Sequence, residues 1–192
     1  RAYHGRWSGM LNHCPECGDD RADKLIDHEV AAEICSACGY RQPFLRLPLV
    51  MVGGAAGSGK TTLWRELLGT LPEVVLLDSD VLWKKESDSP ETDYREYFEM
   101  WLRLAKDISQ SGRPLVLFGA GMAVTSNTEQ QAGRRYFSQA HYLALTCSED
   151  ELDRRLRSRA SWQKKEAENW IIEHIAYNAC LKEHGPSQDP PV

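Results

Sequence analysis

A chain of 192 residues is long enough for one α/β domain with a small appendage, and too short for two full domains. Hydrophobic residues at 42% and charged residues at 27% suit a packed core under a hydrated surface, and a net charge of −5 excludes broad electrostatic capture of nucleic acid. No apolar stretch reaches transmembrane length and no signal-peptide pattern is visible, so no membrane contact and a cytoplasmic location are expected.

Residues 1–46 read as a zinc-ribbon region. Cys14-Pro-Glu-Cys17-Gly and Cys35-Ser-Ala-Cys38-Gly are two C-x-x-C knuckles separated by seventeen residues, a spacing typical of zinc sites. Each pair can hold one metal from a tight turn, and the glycine that follows lets backbone N–H groups face the sulfurs. Four thiolates complete a closed tetrahedral shell around Zn²⁺, which makes the expected site structural rather than catalytic. The same ligands suit a mononuclear iron, and disulfides would need an oxidising compartment. Short alternating segments such as Lys24–Asp27 and Glu33–Cys35 give too small a core to stand without metal. His13 and His28 are expected on the ribbon surface, and Cys147 and Cys180 as buried thiols. Residues 41–48 form a connector.

From residue 49 onward, apolar runs alternate with longer amphipathic stretches, the pattern of a parallel sheet with crossover helices. Strands are expected at Leu49–Val52, Val74–Leu77, Leu115–Phe118 and Tyr142–Leu145. Helices are expected at Lys60–Leu68, Thr92–Ser111, Asn127–Ser138, Ser148–Arg157 and Lys164–Lys182. Over 92–111 the period places Tyr97, Met100, Trp101, Leu104, Ala105 and Ile108 on one core-facing stripe. Ser148 with Glu149, Asp150 and Glu151 makes a helix start. The proline-rich tail, 186–192, is expected to be disordered, leaving 47–185 as the main domain.

The first strand runs into Gly54-Ala55-Ala56-Gly57-Ser58-Gly59-Lys60-Thr61, a complete phosphate-binding loop. Its glycines allow successive N–H groups to point into one cavity. Lys60 carries charge to the terminal phosphates, the Thr61 hydroxyl suits Mg²⁺, and the helix beginning here, with Thr62 in its first turn, aims its positive end at the same anion. The second strand ends in Asp78-Ser79-Asp80, at the sheet edge where open α/β folds bind ligands. A carboxylate there can take a proton from an acceptor hydroxyl or hold Mg²⁺ through water, with Asp80 the stronger candidate and a solvated turn the alternative. Arg155 and Arg159 share a helical face four residues apart, suited to clamping a phosphoryl group, to solvation, or to a small nucleic-acid contact.

These residues together resemble the P-loop kinases that phosphorylate small molecules, in particular the nucleoside/nucleotide-kinase-like ATPases. The resemblance covers about residues 47–182 and rests on G-A-A-G-S-G-K-T, L-D-S-D and the arginine-rich L-D-R-R-L-R-S-R in the family's order. It implies a P-loop NTPase sheet of order 2-3-1-4-5. By this likeness Lys60 is the phosphate lysine, Thr61 the Mg²⁺ ligand, Asp80 the acceptor-side carboxylate, and Arg155 and Arg159 the lid arginines. Two departures stand out: the third strand carries no acid, and no apolar strand follows the last helix, so the family's final strand is expected to be absent. The implied activity is ATP- and Mg²⁺-dependent phosphoryl transfer to a small hydroxyl or phosphate acceptor, first a nucleoside or nucleoside monophosphate. Two rival readings are an ATP-controlled switch whose ribbon contacts RNA or protein, and a kinase of nucleic-acid 5′-hydroxyls.

Overall fold

The computed structural model describes residues 11–21, 24–83, 94–160 and 167–186. The tail from 187 and the start of the helices expected at 92 and 164 lie outside them.

Three-residue strands β1 (Leu25–Asp27), β2 (Ala32–Ile34) and β3 (Arg41–Pro43) form an antiparallel sheet in the order β1-β2-β3, with Glu33 opposite both Ile26 and Gln42. So small a sheet has almost no interior of its own, and its apolar residues are buried elsewhere. Leu11 and Phe44, 3% and 4% exposed, join the apolar cluster of the main domain. The Phe44 ring lies 5.2 Å from that of Tyr136.

The second sheet holds β4 (Leu49–Gly53), β5 (Val75–Asp78), β6 (Leu115–Phe118) and β7 (Ala140–Ala144), all parallel, in the order β5-β6-β4-β7. Continuous apolar runs such as Leu49-Val-Met-Val52 are what a parallel strand covered on both faces requires. This is the P-loop kinase-like arrangement, with the loop-bearing strand β4 between β6 and β7. Among the described residues no strand follows β7, and its outward residue Leu143 stays 52% exposed. β5 begins one residue later than the sequence pattern places it. β7 begins two residues earlier, because its ladder with β4 opens at the pair Leu49↔Ala140.

With a side-chain period of two, Leu49, Met51, Leu115 and Leu117 share one sheet face. There they meet α2 (Arg95–Ser109) through Phe98, Trp101, Leu102 and Ala105. The expected stripe is rotated: Leu104 is 38% exposed, Met100 and Ile108 are half-buried, and Phe98 and Leu102 turn inward. The cause is a third layer behind α2. A side chain at Gly133 would come within 2.6 Å of the Leu102 Cβ, so the glycine leaves room that Leu102 fills.

The single helix expected at 127–138 is broken. One turn, α3 (Ser126–Glu129), is followed by extended backbone at Gln131 and a 3₁₀ segment, Ala132–Tyr136. The break brings the Gly133 N–H to the Glu99 carboxylate at 3.0 Å and buries Tyr136 and Phe137 against α2. Above the phosphate loop α4 (Glu149–Arg157) packs Leu152 and Leu156, both 0% exposed, against the loop residue Ala55 and against Ile171 of α5 (Ala167–His184). α1 (Lys60–Leu67) starts at the end of the loop that follows β4. No described helix is long and apolar enough to cross a membrane.

Candidate functional site

The two knuckles meet as their spacing predicts. Cys14 and Cys38 sulfurs lie 3.6 Å apart, Cys17 and Cys35 3.7 Å, and all four within 4.8 Å of one another. Bonds of ~2.3 Å to the corners of a tetrahedron separate sulfurs by ~3.8 Å, so the four thiols fit a closed Zn²⁺ shell. Cys14 and Cys35 accept the N–H of Gly18 and Gly39 at their carbonyls, closing the two turns. At Cys14 burial pushes the thiol up, but the amides of Cys17 and Glu16 and the neighbouring sulfurs outweigh it and bring it down to about 7. Among the described residues the cluster contains no histidine, and all six cysteines are free thiols. Cys147 and Cys180 are half-buried, not fully buried as the sequence led us to expect.

At the C-terminal edge of the sheet, a cleft of about 2350 Å³ collects the phosphate loop, Asp80, Arg155 and Arg159. The loop owes its path to glycine. Gly54 has φ +146°, and a Cβ there would meet the Leu145 carbonyl at 2.4 Å, while Gly59 precedes α1 at φ +113°. Lys60 Nζ folds back and donates to the carbonyls of Gly54 (2.7 Å) and Ala55 (3.0 Å). Burial lowers its pKa to about 8, with Arg159 adding to the shift and Asp80 and Asp78 opposing it. Ser58 is buried with no hydrogen-bond partner for its Oγ among the described residues, an orphan that a ligand's oxygens would satisfy. Ala56, Gly57, Gly59, Thr61 and Thr62 line the same cleft, with both threonines exposed.

The two acids at the end of β5 separate. Asp78 caps the 3₁₀ turn Ser79–Leu82, accepting the Asp80 N–H at 3.0 Å. Asp80 itself projects into the cleft. There reduced solvation, then the Asp78 charge, hold its carboxyl above the usual range, against the attraction of Lys60. The turn is pinned from α2, where Tyr97 Oη donates to the Ser79 carbonyl at 2.7 Å. β6 ends in Phe118 with no acid, as its sequence says, and Gly119 leaves space for Ser79, whose Oγ a Cβ would meet at 2.1 Å.

The arginine pair is brought to the cleft but not on one helical face. α4 ends at Arg157, so Arg159 lies beyond it, past the C-cap at Ser158. Arg155 Nε donates to Glu151 at 2.6 Å, and its Nη1 donates to the Gly57 carbonyl at 3.0 Å, buttressing the loop. Arg157 points elsewhere, held by Asp153 within α4 and tying α4 to α5 through Glu168. Sequence reasoning missed His174 of α5, whose Nδ1 accepts the Ala56 N–H at 3.3 Å, and Tyr177, which donates to the Ala120 carbonyl at 3.0 Å. Nothing local in the sequence marks either residue. At the far end of the cleft Trp83 and Tyr94 lie with ring centroids 5.9 Å apart, 44% and 37% exposed.

Residues 49–175 match the family model described as an AAA domain. Among solved structures the chain is similar to a gluconokinase from Sinorhizobium meliloti, at TM-score 0.51 and 17% identity over 74% of this chain and 82% of that one. It is also similar to shikimate kinase from Acinetobacter baumannii in complex with shikimate, at TM-score 0.44 and 22% identity over 77% of this chain and 85% of that one. The first of these likenesses speaks to the fold. No curated protein matches the chain.

Proposed function

The chain belongs to the AAA-domain family, and from that premise we propose that it is an ATP- and Mg²⁺-dependent kinase of a small hydroxyl or phosphate acceptor. The observation that carries this reading is that Lys60, Asp80, Arg155 and Arg159 line one cleft with the loop residues Ala56–Thr62. Loop amides and the start of α1 would cradle the triphosphate, Lys60 would leave its loop carbonyls for the terminal phosphates, and Thr61 would hold Mg²⁺. Bound there, Mg²⁺ neutralises charge on the phosphate oxygens. Asp80, which lines this cleft, would orient an acceptor hydroxyl and accept its proton, and its raised pKa makes it a stronger base than an ordinary aspartate. Arg155 and Arg159 offset the charge that moves with the phosphoryl group. A nucleoside or nucleoside monophosphate is the first acceptor to try, because Trp83 and Tyr94 offer aromatic faces in the same cleft as Asp80. Zn²⁺ is the metal proposed for the four thiols, with a structural role.

The test is Mg²⁺-dependent ADP release from ATP across nucleosides, nucleoside monophosphates, sugars, other alcohols and a 5′-hydroxyl oligonucleotide, with Lys60→Met as blank. Stimulation by one acceptor class, lost in the blank, is the expected result. Tight ATP binding with no stimulation by any acceptor would overturn the kinase reading in favour of a nucleotide-controlled switch.

A further inference from the structure

Helix α5 lays an imidazole against the phosphate loop. Because His174 Nδ1 accepts the Ala56 N–H, that nitrogen carries no proton, and the neutral ring keeps its hydrogen on Nε2. Ala56 is the third residue of the loop, and its N–H belongs to the set an anion would recruit. His174 therefore occupies with a side chain a donor that a phosphate oxygen would otherwise take.

The surroundings hold the ring neutral. Burial comes first, then the positive charges of Lys60 at the start of α1 and Arg159 beyond α4, and together they bring its pKa down to about 4. Arg155 of α4, and Glu173 and Tyr177 on α5 itself, line the same cleft. A triphosphate brings several negative charges into this field and reverses its sign at the ring. The imidazolium then becomes the favoured form, and a charge-assisted N–H···O⁻ bond is stronger than the neutral bond it replaces.

We propose that His174 is a phosphate-responsive binding residue, releasing the Ala56 N–H to a bound triphosphate and, with a proton taken from solvent, donating from the same nitrogen to the terminal phosphate. The proposal rests on the nucleotide reading above and deepens it, adding a proton uptake and a phosphate contact from α5. Little movement is required, because Nδ1 already points at the loop.

The experiment follows the ring signals of the six histidines by NMR across pH, in the full chain, with and without Mg²⁺ and the non-hydrolysable analogue AMP-PNP. His174 is assigned by the signal lost in His174→Asn, or, should that variant not fold, by its cross-relaxation with the Ala56 amide. Without nucleotide, His174 is expected to stay neutral above pH ~5; with AMP-PNP its midpoint rises by more than ~2 pH units. Wild-type affinity for AMP-PNP then gains up to ~tenfold per pH unit below the bound-state midpoint, a gain absent from His174→Asn. A His174 ring that stays neutral while the loop amides shift with bound AMP-PNP overturns the proposal and leaves the nucleotide reading intact. Loop amides that do not respond to AMP-PNP overturn both.

Discussion

Asp78 and Asp80 stand two residues apart with different partners. The first caps a turn through the Asp80 N–H, and the second faces Lys60 across the cleft. Replacing Asp80 with Asn should lower kcat by ~10²–10⁴-fold while the ATP dissociation constant holds, the signature of a lost general base. An unchanged kcat would remove Asp80 from the chemistry. Because the Asp80 carboxyl is held above the ordinary range, the rate should fall on the acid side at a pH higher than an unperturbed aspartate would give. Lys60 sets the alkaline limit. Phosphate favours its charged form, so affinity for ATP should weaken as pH rises past about 8, its midpoint in the free protein, on the opposite side from the acid-side gain that His174 contributes. Equilibrium binding of AMP-PNP from pH 6 to 10 checks this, and flat affinity throughout would contradict it. Asp80, Lys60 and Thr61 were legible in the chain because each follows the end of an apolar strand. His174 was not, since its partner in the loop, Ala56, lies 118 residues earlier in the chain.

Helix α2 shows how a neighbouring element rotates an otherwise readable pattern. Periodicity gives a helix over these residues, but its inner face follows the shape of what it meets. Gly133 lets the Ala132–Tyr136 segment close on Leu102, and the stripe turns toward Phe98 and Leu102. Gly133→Ala should cost about 1–3 kcal/mol of unfolding free energy by overpacking, measured by urea denaturation. A loss near zero would mean the third layer does not fix the face of α2. The same close approach explains why 127–138 fails as one helix: Gly133 and the Glu99 carboxylate exchange a hydrogen bond that a straight helix would not bring together. Helix α4 was legible almost to the residue, since its three acids in the first turn and three arginines in the last complement the helix dipole. Where it stops decides the arginines. Ending at Arg157, it sends Arg159 to the cleft by a path separate from that of Arg155.

At the scale of the whole molecule, the ribbon is seated on the P-loop domain rather than tethered to it. Tyr136 Oη donates to Glu33 at 3.0 Å, Asn12 donates to Asp107 at 2.9 Å, and the Gln110 amide accepts the Leu45 N–H at 2.7 Å and donates to its carbonyl at 3.2 Å. Removing metal with a chelator should therefore raise hydrogen exchange in 105–110 and around Tyr136 as well as in 11–43. Exchange confined to the ribbon would show that the seam carries no coupling. Glu33 adds a pH signature. Burial raises its carboxyl above the ordinary glutamate value of 4.5, against the Tyr136 hydrogen bond and the charges of Lys106 and Lys24. A raised pKa in the fold gives stability that is complete below 4.5 and lost as pH rises through the folded value, and Glu33→Gln should abolish that slope in thermal melts. The loop Gly54–Thr61, the paired knuckles and the alternation of strand and helix were all determined by the sequence alone, because each depends on residues close together in the chain. The placement of His174 on Ala56, the rotated face of α2 and the Tyr136–Glu33 seam were decided only by tertiary structure. They join residues 118, 31 and 103 positions apart, where the fit between surfaces, not local pattern, selects the partner.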